Sequence, residues 1–302
     1  MEEHILTYQL HSMKKSKKRK IHDKNLLAYS ALLIIAGAII LSFLVSPTST
    51  HTNSYTNMEP TAPIVITETD SQETSTVHPL LWLNSGAFFT ISHHTGATIL
   101  GDLSASSPWS AYYAETNPVD TDNGLHPQNI FRLLTKKEYG DSVQTAFARI
   151  RKIQKSDSPN RNASNGIFFM HAYQNQNNLY YAGMRVDGAL VIKKKQDGLY
   201  TTLAYKPYFA DTKEYDPARS PNLLPMHTPI GIRSSFSHLD PNTLRITLYI
   251  SRNKGATWEN ALSTDTPFLW NSGMLGIRSD FMDVEIENYS IQINSLLLNI
   301  LE

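Results

Sequence analysis

From residue 80 onward the chain reads as short runs in which apolar and polar side chains alternate, separated by Gly, Asn, Asp and Pro. The cleanest run is 243–251, where Leu244, Ile246, Leu248 and Ile250 fall on one side and Arg245, Thr247 and Tyr249 on the other. That period of two is the signature of a half-buried strand. Runs at 86–92, 109–115, 130–135, 143–152, 167–174, 179–186, 189–195, 199–205, 229–236, 274–279 and 281–293 carry weaker forms of it. Turn signals stand between them: Asp187-Gly188, Gln196-Asp197-Gly198 and Asn253-Lys254-Gly255. No stretch in this region keeps a 3.6-residue apolar period over three turns. The predicted class is therefore all-β, a large sandwich or barrel over 80–294, with a short tail at 295–302. Two segments echo each other without a fixed period: Ile230-Gly231-Ile232-Arg233-Ser234 and Leu275-Gly276-Ile277-Arg278-Ser279.

The earlier part of the chain has a different texture. Residues 26–45 (LLAYSALLIIAGAIILSFLV) carry no charge. Twenty residues at about 1.5 Å each match a hydrocarbon core of about 30 Å, and a helix satisfies its own backbone groups there. One transmembrane helix over 26–46 is predicted, with membrane lipid as its partner. Lys14, Lys15, Lys17, Lys18, Arg19, Lys20 and Lys24 precede it, and no Lys or Arg follows until Arg132. This asymmetry makes 1–25 a cytoplasmic tail and places the rest outside, as a single-pass protein of the cell membrane. A cleaved signal peptide would have a shorter apolar region ending in small residues, whereas this run closes on Phe43-Leu44-Val45-Ser46-Pro47. Residues 47–79, rich in Thr, Ser, Asn and Pro, predict a flexible stalk. Within it, Ile64-Val65-Ile66 has the composition of a short strand, with nothing nearby to oblige one.

Charge sharpens this division. The chain is neutral overall, but residues 1–25 hold seven Lys/Arg against three acids, and the remainder holds twenty against twenty-four, a net of about −4. An acidic outer part is a poor partner for nucleic acid, which removes that class. There are no cysteines, so no disulfide and no thiolate metal site exists, and the sandwich must rely on its core.

The segment Asn178-Leu179-Tyr180-Tyr181-Ala182-Gly183-Met184-Arg185-Val186-Asp187-Gly188, followed by Val191-Ile192-Lys193-Lys194-Lys195, has the form of a mid-domain hairpin turning on Arg-x-Asp-Gly. Gly276-Ile277-Arg278-Ser279 and Phe281-Met282-Asp283-Val284-Glu285-Ile286-Glu287-Asn288-Tyr289-Ser290-Ile291 have the form of closing strands. In these features residues 81–293 resemble the concanavalin A-like lectin/glucanase superfamily, including its laminin-G-like members. The resemblance implies a two-sheet antiparallel β-sandwich of the jelly-roll kind over 80–294, and a carbohydrate partner. It leaves activity open, since the fold carries lectins, glycosidases, lyases and adhesion modules.

Two acidic patterns resemble the superfamily's glucanase motif, in which carboxylates flank the scissile bond. Glu68-x-Asp70-x-x-Glu73 has the spacing but falls in the expected stalk. Asp283-x-Glu285-x-Glu287 falls on a strand, with its three acids on one face, and reads as a solvated outer face. A lyase needs a base and a group that neutralises a uronate; Arg132, His171, Tyr173 and Tyr205 supply those types, with His171 and Tyr173 expected on one strand face. A hydrogen-bonded core histidine is the competing reading of His171. For binding, sugar faces stack on aromatic rings while hydroxyls meet polar groups. Arg132, Tyr181, Arg185, Tyr205 and Tyr208 are the candidate contacts. Asp120, Asp122 and Gly124 resemble the start of a calcium loop, so Ca2+ is the one candidate cofactor, against a plain Asx-rich turn. The expected function is a membrane-tethered, extracytoplasmic carbohydrate-binding or adhesion module; the alternative is an anchored polysaccharide lyase or glycoside hydrolase of the same fold.

Overall fold

The computed structural model describes residues 62–209 and 213–301. The predicted tail 1–25, the apolar run 26–46 and the first part of the predicted stalk, 47–61, lie outside the described residues. Among the described residues no helix is long and apolar enough to cross a membrane.

Sixteen strands are described, all paired antiparallel. In chain order they are β1 Ile64–Thr67, β2 Leu81–Ser85, β3 Phe88–Ser92, β4 Thr95–Ala97, β5 Arg132–Tyr139, β6 Ser142–Ile153, β7 Gly166–Asn175 and β8 Asn178–Arg185. The others are β9 Ala189–Gln196, β10 Leu199–Pro207, β11 Ile230–Asp240, β12 Thr243–Ser251, β13 Glu259–Pro267, β14 Gly273–Ser279, β15 Met282–Ile293 and β16 Leu296–Asn299. A nine-stranded sheet runs β1-β3-β4-β15-β6-β11-β12-β13, with β16 also on β15. A seven-stranded sheet runs β10-β9-β8-β7-β14-β5-β2. The predicted all-β, two-sheet antiparallel sandwich is thus the observed architecture.

Alternation explains the core. Leu244, Ile246, Leu248 and Ile250 of β12 are all buried, and they pack with Leu83, Leu133, Phe169, Tyr180, Ile192, Ile277, Val284 and Ile286 between the sheets. Strands β7 and β8 are buried on both faces. A second cluster covers their outer side: Trp82, Leu134, Phe168, Met170, Tyr173, Leu179, Tyr181, Val191 and Met274. That cluster forms the floor of the site described below.

Three expectations change. Residues 109–115 form a helix, α1 (Pro108–Thr116), instead of a strand. Ser107 caps it through a side-chain bond from the Trp109 N–H, and Pro108 at the first helical position has its φ already set for a helix. The described part of the predicted stalk belongs to the sandwich. Strand β1 pairs with β3, Ile66 is buried, and Ser75 and His78 are buried where the chain returns to β2. Available partners override a polar composition here: the Glu68 carboxylate accepts the Ala87 N–H and the Tyr113 hydroxyl. The predicted tail 295–302 contributes β16, and Ile300 and Leu301 are buried.

Candidate functional site

The hairpin β8–β9 turns at Asp187-Gly188, where Gly188 has φ of +81°, a region open to glycine at little cost. This turn fixes the register, so Tyr181 stands opposite Lys193 and Leu179 opposite Lys195. On the same outer face Tyr200 of β10 pairs with Lys195, and Arg132 of β5 stands directly opposite Arg278 of β14. Together with the loop residues Asp120, Asn129, Asn160, Asn162, Ser164 and Asn165, these strands enclose a hollow of about 490 Å³ over the seven-stranded sheet.

The floor combines rings and cations. Lys193 Nζ lies 4.9 Å from the centre of the Phe168 ring, 5.2 Å from that of Tyr200 and 5.5 Å from that of Tyr181. Burial lowers the Lys193 ammonium below its ordinary pKa. Arg278 Nε donates to Asp280 at 2.6 Å, and its Nη1 donates to the Tyr181 hydroxyl at 3.0 Å. Burial opposes the charge on Arg278, but Asp280, Tyr181 and Tyr200 outweigh it and hold the guanidinium firmly protonated. Burial pushes the Tyr181 phenol up to about 12 despite Arg278. Tyr200 goes the other way: burial would raise it, yet Arg278, Lys195 and Lys193 together bring it below the ordinary tyrosine value. Asn129 is fully buried and lines the hollow, and its Oδ1 has no hydrogen-bond partner among the described residues.

The predicted contacts divide. Tyr181 and Arg185 line the hollow; Arg132 is not among its lining residues and donates to the Tyr173 hydroxyl at 3.3 Å on the same face of the sheet. Tyr205 sits at the rim, 48% exposed, with the Arg185 guanidinium 5.3 Å over its ring. Tyr208 is elsewhere: its hydroxyl donates to Glu259 at 2.5 Å, and Arg252 lies 5.0 Å over its ring.

His171 and Tyr173 are separated, contrary to the alternation argument. Ala172 takes a positive φ of 46° and the register shifts, so one residue is absorbed without a change of face. Tyr173 stays on the outer cluster, while His171 points between the sheets and stacks on Phe236 at 5.4 Å. Its Nε2 shares a hydrogen bond with Ser234 at 2.8 Å, and burial lowers its pKa to about 3. His171 is the hydrogen-bonded core histidine of the competing reading, and a lyase pair with Tyr173 does not form.

The acidic candidates are also placed. Asp120 accepts from Ser158 at 2.6 Å and from Asn160 at 2.9 Å; Asp122 is bonded to Ser156, His126 and Asn129. These partners are the geometry of an Asx-rich turn, and among the described residues no three acids or histidines gather to hold a metal ion. Asp283 is buried rather than solvated, accepting from Gln128, Gln154 and the Gly101 N–H, while Glu285 and Glu287 pair with Arg149 outside. Asp70 and Glu73 are exposed and Glu68 is half-buried against Tyr113; none of the three lines the hollow.

Sequence reasoning missed Lys193, Tyr200, Arg278 and Asn129. For Lys193 a signal existed: once Tyr181 is chosen, the Asp187-Gly188 turn sets Lys193 opposite it. For Arg278 and Asn129 there was none, because their neighbours come from distant strands.

No protein-family model matches the sequence, and no curated protein matches it. Among solved structures the chain is similar to the carbohydrate binding module CBM66 from Bacillus subtilis, at 9% identity and a TM-score of 0.43, covering 70% of this chain and 94% of that one. It is also similar to the exoplasmic/lumenal domain of VIP36 in a Ca2+/Man-bound form, at 8% identity and a TM-score of 0.39, covering 77% and 91%. A Bacillus licheniformis beta-glucanase aligns at 10% identity and a TM-score of 0.30, covering 54% and 71%.

Proposed function

We propose that this chain is a membrane-tethered, outward-facing module that binds glycans in the hollow over the seven-stranded sheet. The observation that carries the reading is the pairing of Tyr181 and Tyr200 with a ring of amide and hydroxyl side chains, Asn129, Asn160, Asn162, Ser164 and Thr202, around one hollow. Rings offer a face for the C–H side of a sugar, and amides offer both donors and acceptors to its hydroxyls. The tether and the orientation rest on the apolar run 26–46 and the basic residues before it.

A glycan array probed with the full chain tests the binding; retention of no glycan overturns it. Because the chain has no cysteine, single cysteines placed before residue 26 and after residue 46 report topology through a membrane-impermeant maleimide. Labelling of the N-terminal position in intact cells sinks the orientation.

One observation favours a second reading, an anchored polysaccharide lyase. The lowered phenol of Tyr200, beside Arg278 and Lys193, has the character of a general base next to groups that neutralise a carboxylate. Ultraviolet absorbance of new unsaturated ends on a uronate polymer would support it, and loss of that turnover in Tyr200→Phe would assign the base. Binding with no such absorbance removes the lyase and leaves the binding module.

A further inference from the structure

We infer that the ligand of this hollow is anionic, a carboxylate-bearing uronate polysaccharide, an inference that rests on the glycan reading above. The first observation is the local sign of charge. The part of the chain beyond residue 25 is acidic by about four charges, yet the outer face of the seven-stranded sheet gathers Arg132, Arg185, Lys193, Lys195 and Arg278. Two of these are compensated, Arg278 by Asp280 and Arg185 by Asp187. Arg132, Lys193 and Lys195 make no ion pair among the described residues.

The second observation is where the unpaired cations sit. Lys193 is half-buried among three rings; its ammonium has lost water, and the attraction of Asp280, which is itself ion-paired to Arg278, does not offset that loss. Such a charge costs free energy unless an anion is supplied. Arg132 and Arg278 occupy directly opposed positions on neighbouring strands, where like charges repel. An anion placed near both turns that repulsion into attraction, and the planar fork of a guanidinium suits a planar carboxylate. Lys195, 4.9 Å over the Tyr200 ring, extends the cationic row for a further charged sugar.

The third observation is a contrast with the opposite sheet, where Arg149 is met by Glu285 and Glu287 and Arg245 by Asp265 from adjacent strands, and where Arg233, which makes no ion pair, is a lone cation stacked on Trp258 and not one of a row.

The test uses the full chain in neutral detergent, with calorimetric titration of galacturonate, mannuronate and glucuronate oligosaccharides and their methyl esters. The ester keeps the rings and hydroxyls and removes the charge. At least one acid is expected to bind at least about tenfold more tightly than its ester, with affinity falling as sodium chloride is raised. Lys193→Met keeps the apolar stem and is expected to remove most of that preference; Arg132→Gln is the second variant, for use if Lys193→Met misfolds. Equal binding of acid and ester, or binding confined to neutral glycans, overturns this inference and leaves the glycan reading standing. Binding of no glycan overturns both. Equal retention of a single-stranded oligonucleotide would reduce the hollow to a non-selective basic patch and also overturns the inference.

Discussion

The segment Ile230-Gly231-Ile232-Arg233-Ser234 lies in the nine-stranded sheet and Leu275-Gly276-Ile277-Arg278-Ser279 in the seven-stranded one. Both obey the same alternation, with Ile232 and Ile277 in the shared core and the arginine pointing outward. Their surroundings differ completely. Arg233 lies flat on Trp258, 4.1 Å from the ring centre, and donates from Nε to Thr145 at 3.1 Å. Arg278 is locked to the buried carboxylate of Asp280 and to Tyr181, in the floor of the hollow. One pentad therefore makes a surface stack on one sheet and a buried ionic anchor on the other. Local sequence decides which way a side chain points; the strands beside it decide what it meets.

The largest effect should separate the two arginines by stability. Arg278→Met leaves Asp280 buried without its cation and should cost about 3–5 kcal/mol, read from denaturant midpoints. Arg233→Met should cost about 0.5–1 kcal/mol, since a stacked arginine contributes little beyond its stem and its cation–π contact. Equal losses would break the comparison.

Next in size is a pH dependence set between the sheets. The folded pKa of His171 is about 3, below the unfolded value near 6.5, so the unfolded chain binds the extra proton at intermediate pH. The stability due to neutral His171 is complete above pH 6.5 and declines as pH falls toward 3, at about 1.4 kcal/mol per pH unit. Between pH 6.5 and 4.5 wild type should lose about 2–3 kcal/mol more than His171→Asn. Parallel curves for the two proteins would show that His171 does not join the sheets as described.

Ligand affinity should then distinguish the two outer faces. Tyr200→Ala removes a wall of the hollow and should weaken glycan binding about tenfold, whereas Arg245→Ala on the opposite face should leave it unchanged. An equal loss from both would mean that the ligand does not discriminate between the faces. The smallest effect is expected at Arg149, half-buried with Glu285 and Glu287. Arg149→Met should cost about 1 kcal/mol and reduce the salt sensitivity of the melting temperature, because those charges neutralise one another across strands.

Much of the fold was legible. Strand β12 begins and ends where its alternation does, and the Asp187-Gly188 turn fixes the register of β8 against β9. Three features were not, each for a physical reason. The bulge at Ala172 depends on an alanine held at positive φ, which no local preference predicts. Strand β13 is a polar edge strand, half of it exposed, so it carries little apolar period to read. Helix α1 is too short for a helical period to outweigh its aromatic content, and its Ser-Pro start was the signal overlooked. Of the predicted contacts, Tyr181 and Arg185 line the hollow, on a strand face that alternation predicts, whereas Arg132 and Tyr205 do not line it. Tyr208 lies away from the hollow, just beyond β10, where alternation no longer applies.

Sequence by itself determined the class, the positions of most of the longer strands, the absence of disulfides and the apolar run at 26–45 with its basic flank. These follow from composition and from a two-residue period, which are properties of neighbours in the chain. The tertiary structure alone decided that Lys193 stands unpaired among three rings while Arg149 is neutralised by two glutamates. Both are basic residues facing outward from a strand. Their difference comes from neighbours across a sheet, brought together by pairings between distant segments, and a charge is paired or left free only at that level.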